Sequence, residues 1–404
     1  MLRTLCSAIL LSAASLAPAL QPRLNDFESI DLALPDRARA ATTVIDAYGK
    51  RFELELEANE DLLDMLPAAA LARIGAADRF LRGSVVGIQG SWARLNRVDG
   101  RISGAFFDGT HLYLIDRPDG LQLPAGQRLP ADGTIVFRLA DLRLDGAFDH
   151  GGVIVGESAS GAETPITDYA SFTRHLREIA VLQGTAMLAM PVTVVTDVEF
   201  SDRHGSSTAS VVAGRINVID GIYADQLGSG IVLHHLEILT DNDVLISTDP
   251  GTLLSGERDE DSNLVPGGQP GFQQFMTDGS GRDIPFAGLA HLFTGKSLDG
   301  NVVGIAYVNV LCNSGWGFGV DQDLTSETAA MLVAAHELGH NFAAGHDDDP
   351  DACPGNDEFG IMNSTINGSQ QFSGCSLDAM DPAVAGAACL VATSDDIFAD
   401  GFEP

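Results

Sequence analysis

Hydrophobic and polar positions change their rhythm along the chain. The stretch "RFELELEANEDLLDML", from Arg51 to Leu66, alternates apolar and charged residues, the period-two pattern of a half-buried strand, before turning into a short helix. From Ser84 to Arg117 short strand patterns are separated by "VDG" and "FDG", which are hairpin signals. These patterns predict a β-rich domain over about residues 50–160, with no cysteine and no cluster of metal-ligand residues in it. The segment "YASFTRHLREIAVLQGTAML" reads as a helix and carries Arg174-x-x-Arg177, either a trypsin-like or furin-like processing site or two basic residues on an exposed helix. A domain boundary is placed there, after residue 185. Beyond it strands and helices alternate. "MPVTVVTDVEF" reads as a buried strand, "TASVVAGRINVIDGIYADQL" as a helix with Val212, Ile216, Ile219 and Tyr223 along one face, and "GIVLHHLEIL" as another strand. A loop-rich acidic stretch follows, then the strand "NVVGIAYVNVL", then a helix from about Thr325 to Phe342. This order predicts a mixed α/β (α+β) domain over 186–393, preceded by the β-rich 20–185 and followed by an acidic tail, 394–404.

An apolar content of 45% over 404 residues is ample for packed cores and excludes a disordered chain. The first residues place Arg3 before an apolar run from Leu5 to Leu16, with Ala17 and Ala19 around Pro18, the layout of a secretory signal peptide over 1–19. A membrane anchor needs an apolar run of roughly 20 residues, and this one is shorter. The protein is therefore expected to be secreted. Export changes the reading of the cysteines: Cys6 leaves with the signal, and Cys312, Cys353, Cys375 and Cys389 remain, an even number that predicts two disulfides with all three pairings open. A four-thiolate zinc site needs close pairs such as C-x-x-C, which are absent.

Charge divides the two halves. Residues 20–185 hold 17 Lys/Arg against 24 Asp/Glu, and residues 186–404 hold 5 against 32, within a net charge of −33. A C-terminal half this acidic repels phosphate backbones and anionic lipid, so neither nucleic acid nor a membrane surface is an expected partner. Calcium, basic peptides and a less acidic partner domain fit it better.

Chemistry concentrates in "TSETAAMLVAAHELGHNF". From Ala329 to Phe342 its strongly polar side chains are His336, Glu337, His340 and Asn341 alone, so the helix is expected to be buried. Burying two imidazoles and a carboxylate costs several kcal/mol unless something satisfies them, and a metal ion does so. His336 and His340, four apart, share one helix face about 5–6 Å from each other, which suits bonds of about 2.0–2.1 Å to a single Zn²⁺. Glu337 points elsewhere, where it is placed to take a proton from water: the H-E-x-x-H roles of two ligands and one general base. His346 follows at a distance that lets the chain reverse and present a third imidazole, and "GIMNST" supplies a compact turn around Met362. Three histidines leave a fourth position open, the mark of a catalytic zinc site.

"HELGHNFAAGHD", followed by "IMN" and "FSGCS", resembles the adamalysins, or reprolysins, of the metzincin clan of zinc endopeptidases. The resemblance implies His336, His340 and His346 as zinc ligands, Glu337 as general base, Met362 as the Met-turn residue and Asp347 as the residue type that marks this branch. It implies a metzincin-like mixed twisted sheet with "VTVVTDVEF" as first strand, and an edge strand in "VVGIAYVNVLCNS" that pairs with an extended peptide substrate. It implies the pairings Cys312–Cys389 and Cys353–Cys375. The β-rich N-terminal part is similar to the family's propeptide, which implies a zymogen whose own propeptide is an intramolecular inhibitor.

Three departures shape what to expect. Ala343 stands where the family pattern has glycine, so either a left-handed backbone is tolerated there at roughly 1–2 kcal/mol, or the reversal moves to Asn341 or Gly345. Residues 20–311 contain no cysteine, so inhibition through a cysteine on zinc is not available, and docking of the more basic N-terminal part on the acidic C-terminal part is the expected substitute. The chain ends soon after Cys389, so disintegrin and cysteine-rich modules are not expected. Calcium is a second candidate ion, weighed against Pro191 at the place where calcium-binding relatives carry an acidic residue.

His111, His150, His175, His204, His234, His235 and His291 have no partners at ligand spacing and are assigned no role. The acidic loop beyond Asp347 reads as solvated, the sequons at Asn363 and Asn367 matter only in a glycosylating host, and the tail resembles short acidic endings of secreted bacterial proteins. The reading that results is a secreted, monomeric zinc endopeptidase made as a zymogen. The alternative is a catalytically silent zinc-bound protein-binding module.

Overall fold

Alternation at Arg51–Ala58 becomes β4 (Lys50–Ala58) of an antiparallel sheet. The other N-terminal strands are β1 (Arg23–Leu24), β2 (Glu28–Ile30), β3 (Ala41–Ala47), β5 (Arg79–Val85), β6 (Trp92–Val98), β7 (Arg101–Phe107), β8 (Leu112–Asp116), β9 (Thr134–Arg138) and β10 (Leu142–Arg143), with helical turns α1 (Asp61–Asp64) and α2 (Ala68–Leu71). Eight strands pair in the order β2-β9-β8-β7-β6-β5-β4-β3, and β1 pairs with β10. "VDG" works as a hairpin: Asp99 and Gly100 both have positive φ, 49° and 72°, as a two-residue turn matched to strand twist requires. The computed structural model describes residues 21–34, 41–127, 129, 133–144, 187–260, 263–278 and 283–393. The signal segment, Arg174-x-x-Arg177, His150, His175 and the tail 394–404 lie outside the described residues.

The C-terminal part is mixed, as its alternating pattern predicts. Its elements are β11 (Met187–Thr196), α3 (Val198–His204), α4 (Thr208–Leu227), β12 (Ser229–Ile238), α5 (Pro250–Ser255), α6 (Phe272–Thr277), β13 (Leu289–Thr294), β14 (Gly304–Ala306), β15 (Phe318–Gln322), α7 (Glu327–Asn341), α8 (Gly374–Gly386) and β16 (Val391–Thr393). The sheet runs β12-β11-β13-β15-β14, parallel except for β14, and β16 pairs antiparallel with β11. The strand expected over "NVVGIAYVNVL" shrinks to three residues, because Asn301 and Asn309 take left-handed φ of 63° and 59° and bend the chain on either side. Among the described residues no helix is long and apolar enough to cross a membrane.

Helix α4 buries more than the apolar face read from its sequence. Val212, Ile216, Ile219 and Tyr223 join the core, and Asn217 and Asp220 are buried as well. The N-terminal sheet covers that second face. Arg94 of β6 donates from Nε and Nη2 to Asp220 Oδ2 (3.0 and 2.8 Å). Asn96 donates to Gly214 O, Asn217 to Asn96 Oδ1 and Asn59 to Asn217 Oδ1, each at 2.8 Å. A Cβ on Gly221 would come within 2.7 Å of Trp92, so glycine lets sheet and helix close. These groups are satisfied across the interface, which removes the cost of burying them. Added salt screens a buried arginine pair little.

Candidate metal centre and active site

Helix α7 begins where Ser326 Oγ accepts from Ala329 N (3.2 Å), and Asp116 from the end of β8 reinforces the cap. Its Oδ2 accepts from Ser326 Oγ, Thr328 N and Thr328 Oγ1 at 2.9, 3.0 and 2.8 Å. Burial pushes the Asp116 carboxyl up to about 6 against these bonds, which favour its ionised form. From Thr328 to Asn341 every residue of α7 is buried, and Tyr223 Oη of α4 donates to Ala335 O (2.8 Å).

The far half of α7 carries the site. The Nε2 atoms of His336, His340 and His346 form a triangle with all three sides 3.1 Å, and the rings are 2%, 6% and 7% exposed. Among the described residues this is the group of three or more His, Cys, Asp or Glu whose ligand atoms all lie within 4.8 Å of one another. Nitrogens at this spacing can all lie about 2.0–2.1 Å from one ion, the Zn–N bond length. Carbonyls orient the rings: Ile361 O lies 2.9 Å from His336 Nδ1, and Ala344 O lies 2.9 Å from His340 Nδ1. Each Nδ1 therefore donates its proton, and the lone pair of Nε2 faces the centre of the triangle.

His346 reaches the triangle because α7 ends abruptly. Ala344 N donates to Gly339 O (3.0 Å) and Ala343 N to His340 O (2.9 Å), the bond pair of a Schellman cap, and Ala343 has φ of 87°. The reversal thus stays at Ala343 and moves to neither Asn341 nor Gly345. The alanine carries strain of roughly 1–2 kcal/mol, and Ala343→Gly is expected to raise the urea midpoint by the equivalent of about 0.5–1 kcal/mol after the glycine's larger unfolded-state entropy is subtracted. A lower midpoint would contradict the assignment.

Asp347 is buried and holds the third-ligand loop in place. Its Oδ2 accepts from Gly360 N (2.6 Å), and its Oδ1 from Ser373 Oγ (2.5 Å) and Ser376 Oγ (2.8 Å) at the start of α8, while its N donates to Met362 O (3.0 Å). Met362 is fully buried below α7, and a Cβ on Gly339 would collide with its sulfur. Disulfides join Cys312 to Cys389 and Cys353 to Cys375, the two pairs the resemblance implies. The acidic loop beyond Asp347 is partly tied down: Asp348 accepts from Ser364 N (3.0 Å) and Ser364 Oγ (2.5 Å).

Glu337 is 2% exposed, and its Oε2 has no hydrogen-bond partner. Desolvation, with Asp321 adding to it, pushes this carboxyl well above the usual carboxylate range. It packs against Gly304 at the start of β14, where a Cβ would meet the carboxylate itself. A buried acid with an unpartnered oxygen is costly to keep.

Gly304, Gly339 and His291 contribute to this architecture, and the one-dimensional reading gave them no role. Of the remaining histidines, His204 lies 3.0 Å from Asp323 Oδ2, His235 lies 3.8 Å from Glu237, and His111 lies 3.9 Å from Asp108, all away from the triangle.

Fold and site together define a metallopeptidase-type centre: a buried helix with H-E-x-x-H, a third histidine after a tight turn, and a methionine beneath. Residues 189–373 match the family described as Reprolysin_5: Metallo-peptidase family M12. The chain is also 32% identical over 190 residues, 46% of its length, to human disintegrin and metalloproteinase domain-containing protein 9. It spans about a fifth of that relative, 21% of its length. These matches support a reprolysin-type metalloprotease, and M12 metallopeptidases use zinc.

Proposed function

We propose that the protein is a secreted zinc-dependent endopeptidase that cleaves extended polypeptides and is made as a zymogen. One observation carries the reading: a buried carboxylate with an unpartnered oxygen on the residue next to a histidine ligand. His336, His340 and His346 would hold zinc through Nε2, and zinc, when bound, supplies Lewis-acid polarisation and activation of water. Glu337 Oε2 takes the proton of the attacking water and then delivers it to the leaving amine. The unpaired side of β14 offers backbone groups to an extended chain, as strand addition requires. Incubation of zinc-loaded protein with denatured casein, read by mass spectrometry, is expected to give new termini at internal peptide bonds. Zinc bound with no new termini would favour the silent binding module.

The N-terminal sheet is read as the intramolecular inhibitor. Leu139 and His336 line one small cavity together with Ile361 and Thr365. Leu144 is 3% exposed among Val303, Leu324, Ala330 and Val333, and its N donates to Ile366 O (3.2 Å). An aliphatic segment beside the histidine centre supports this reading, in which it serves in place of the absent cysteine. Leu144→Asp in the uncleaved chain is expected to raise cleavage of a short peptide on the order of tenfold, the equivalent of about 1.4 kcal/mol. Equal rates for both chains would remove this role.

A further inference from the structure

His291, in β13, forms a buried hydrogen-bonded network beside the site. It is 1% exposed, with Nδ1 2.7 Å from Asp321 Oδ2 and Nε2 2.7 Å from Asn341 Oδ1. The Asn341 carboxamide is oriented independently, because Nδ2 donates to Tyr307 O (2.8 Å) and Phe318 O (3.3 Å) and leaves the oxygen toward the ring. Both ring nitrogens face carbonyl or carboxylate oxygens, so each is placed to donate. Burial alone pulls its pKa down, and Asp321 with the two hydrogen bonds more than reverses this, leaving it raised. The site is shaped for this ring: a Cβ on the neighbouring Gly319 of β15 would collide with it.

Asn341 directly follows the ligand His340 and is the last residue of α7. The final carbonyls of the helix, His340 O and Asn341 O, accept from Asn309 N and Val310 N at 3.0 Å. Side chain and backbone of Asn341 therefore join the end of α7 to the segment 307–310, which continues from β14. Without the ring, Asn341 Oδ1 and Asp321 both lose a partner in a site closed to water, and Asp321 Oδ1 already has none.

We propose that His291 is a positioning residue for the centre: held by Asp321, it locks the Asn341 carboxamide and fixes His340 relative to the strand segment that receives substrate. This rests on the metallopeptidase reading. The test compares two double variants of the full chain, H291L/D321L and H291Q/D321L. Both remove the charge pair, and only the second keeps a donor for Asn341 Oδ1. Zinc affinity, by competition with a fluorescent chelator, is expected to fall on the order of tenfold or more in H291L/D321L and to stay near wild type in H291Q/D321L. Casein-peptide cleavage by the zinc-loaded chains should follow the same order in kcat with KM little changed. If H291L/D321L does not fold, N341L, which removes the carboxamide and keeps the ion pair, carries the same expectation. Equal zinc affinities for the two double variants would overturn the proposal. A wild type that binds zinc and cleaves nothing would remove the peptidase reading and leave the affinity comparison to decide the role of His291.

Discussion

Replacing Glu337 with glutamine is expected to lower kcat/KM for peptide cleavage by about 10²–10⁴-fold while the chain still binds one zinc per molecule. Glutamine keeps the size and one carbonyl-type oxygen, so it preserves the packing against Gly304, but it cannot accept the proton of water at that atom. The three Nε2 atoms are oriented by Ile361 O, Ala344 O and the turn at Ala343, none of which depends on Glu337. Glutamine also removes a carboxyl whose ionised form is disfavoured by burial, so the metal-free variant should be no less stable than wild type. Full activity in Glu337→Gln, with zinc content matched by mass spectrometry, would remove the base from this residue.

Asp347→Ala is expected to have the largest effect on stability, a loss of about 3–5 kcal/mol in urea unfolding, with weaker zinc binding alongside it. The carboxylate is buried and accepts from Gly360 N, Ser373 Oγ and Ser376 Oγ, which join three separate pieces of chain. Its removal takes the acceptor from Gly360 N and Ser376 Oγ, leaves Ser373 Oγ only the longer contact to Ser376 Oγ (3.3 Å), and frees the loop that carries His346. Zinc cannot restore what is lost, because Asp347 acts through the position of its neighbour. A change below about 1 kcal/mol would show that the loop is held by the Cys353–Cys375 disulfide instead.

Local signals carried much of this architecture. Helix α7 was legible because a run of apolar residues interrupted by His336, Glu337 and His340 has few other uses, and the "VDG" hairpin because Asp-Gly accepts two positive φ angles. What could not be read was non-local. The second buried face of α4 exists because β6 supplies partners for Asn217 and Asp220 from more than a hundred residues away. His291 has no ligand-spaced neighbour in the chain, and its partners Asp321 and Asn341 meet it through β15 and the end of α7. Gly304 and Gly339 are ordinary glycines until Glu337 and Met362 are seen against them. The short β14 follows from left-handed asparagines at 301 and 309, which an apolar run conceals.

The central claim is that the histidine triangle holds the metal on which peptide cleavage depends. The most direct test strips the chain with a chelator, restores zinc in steps, and follows casein cleavage against bound zinc. Cleavage should vanish with the metal, return in proportion to it and saturate at one zinc per chain, and His340→Ala should bind zinc far more weakly and recover little. Cleavage that persists in the stripped chain, or saturation at one zinc with no cleavage, would contradict the account.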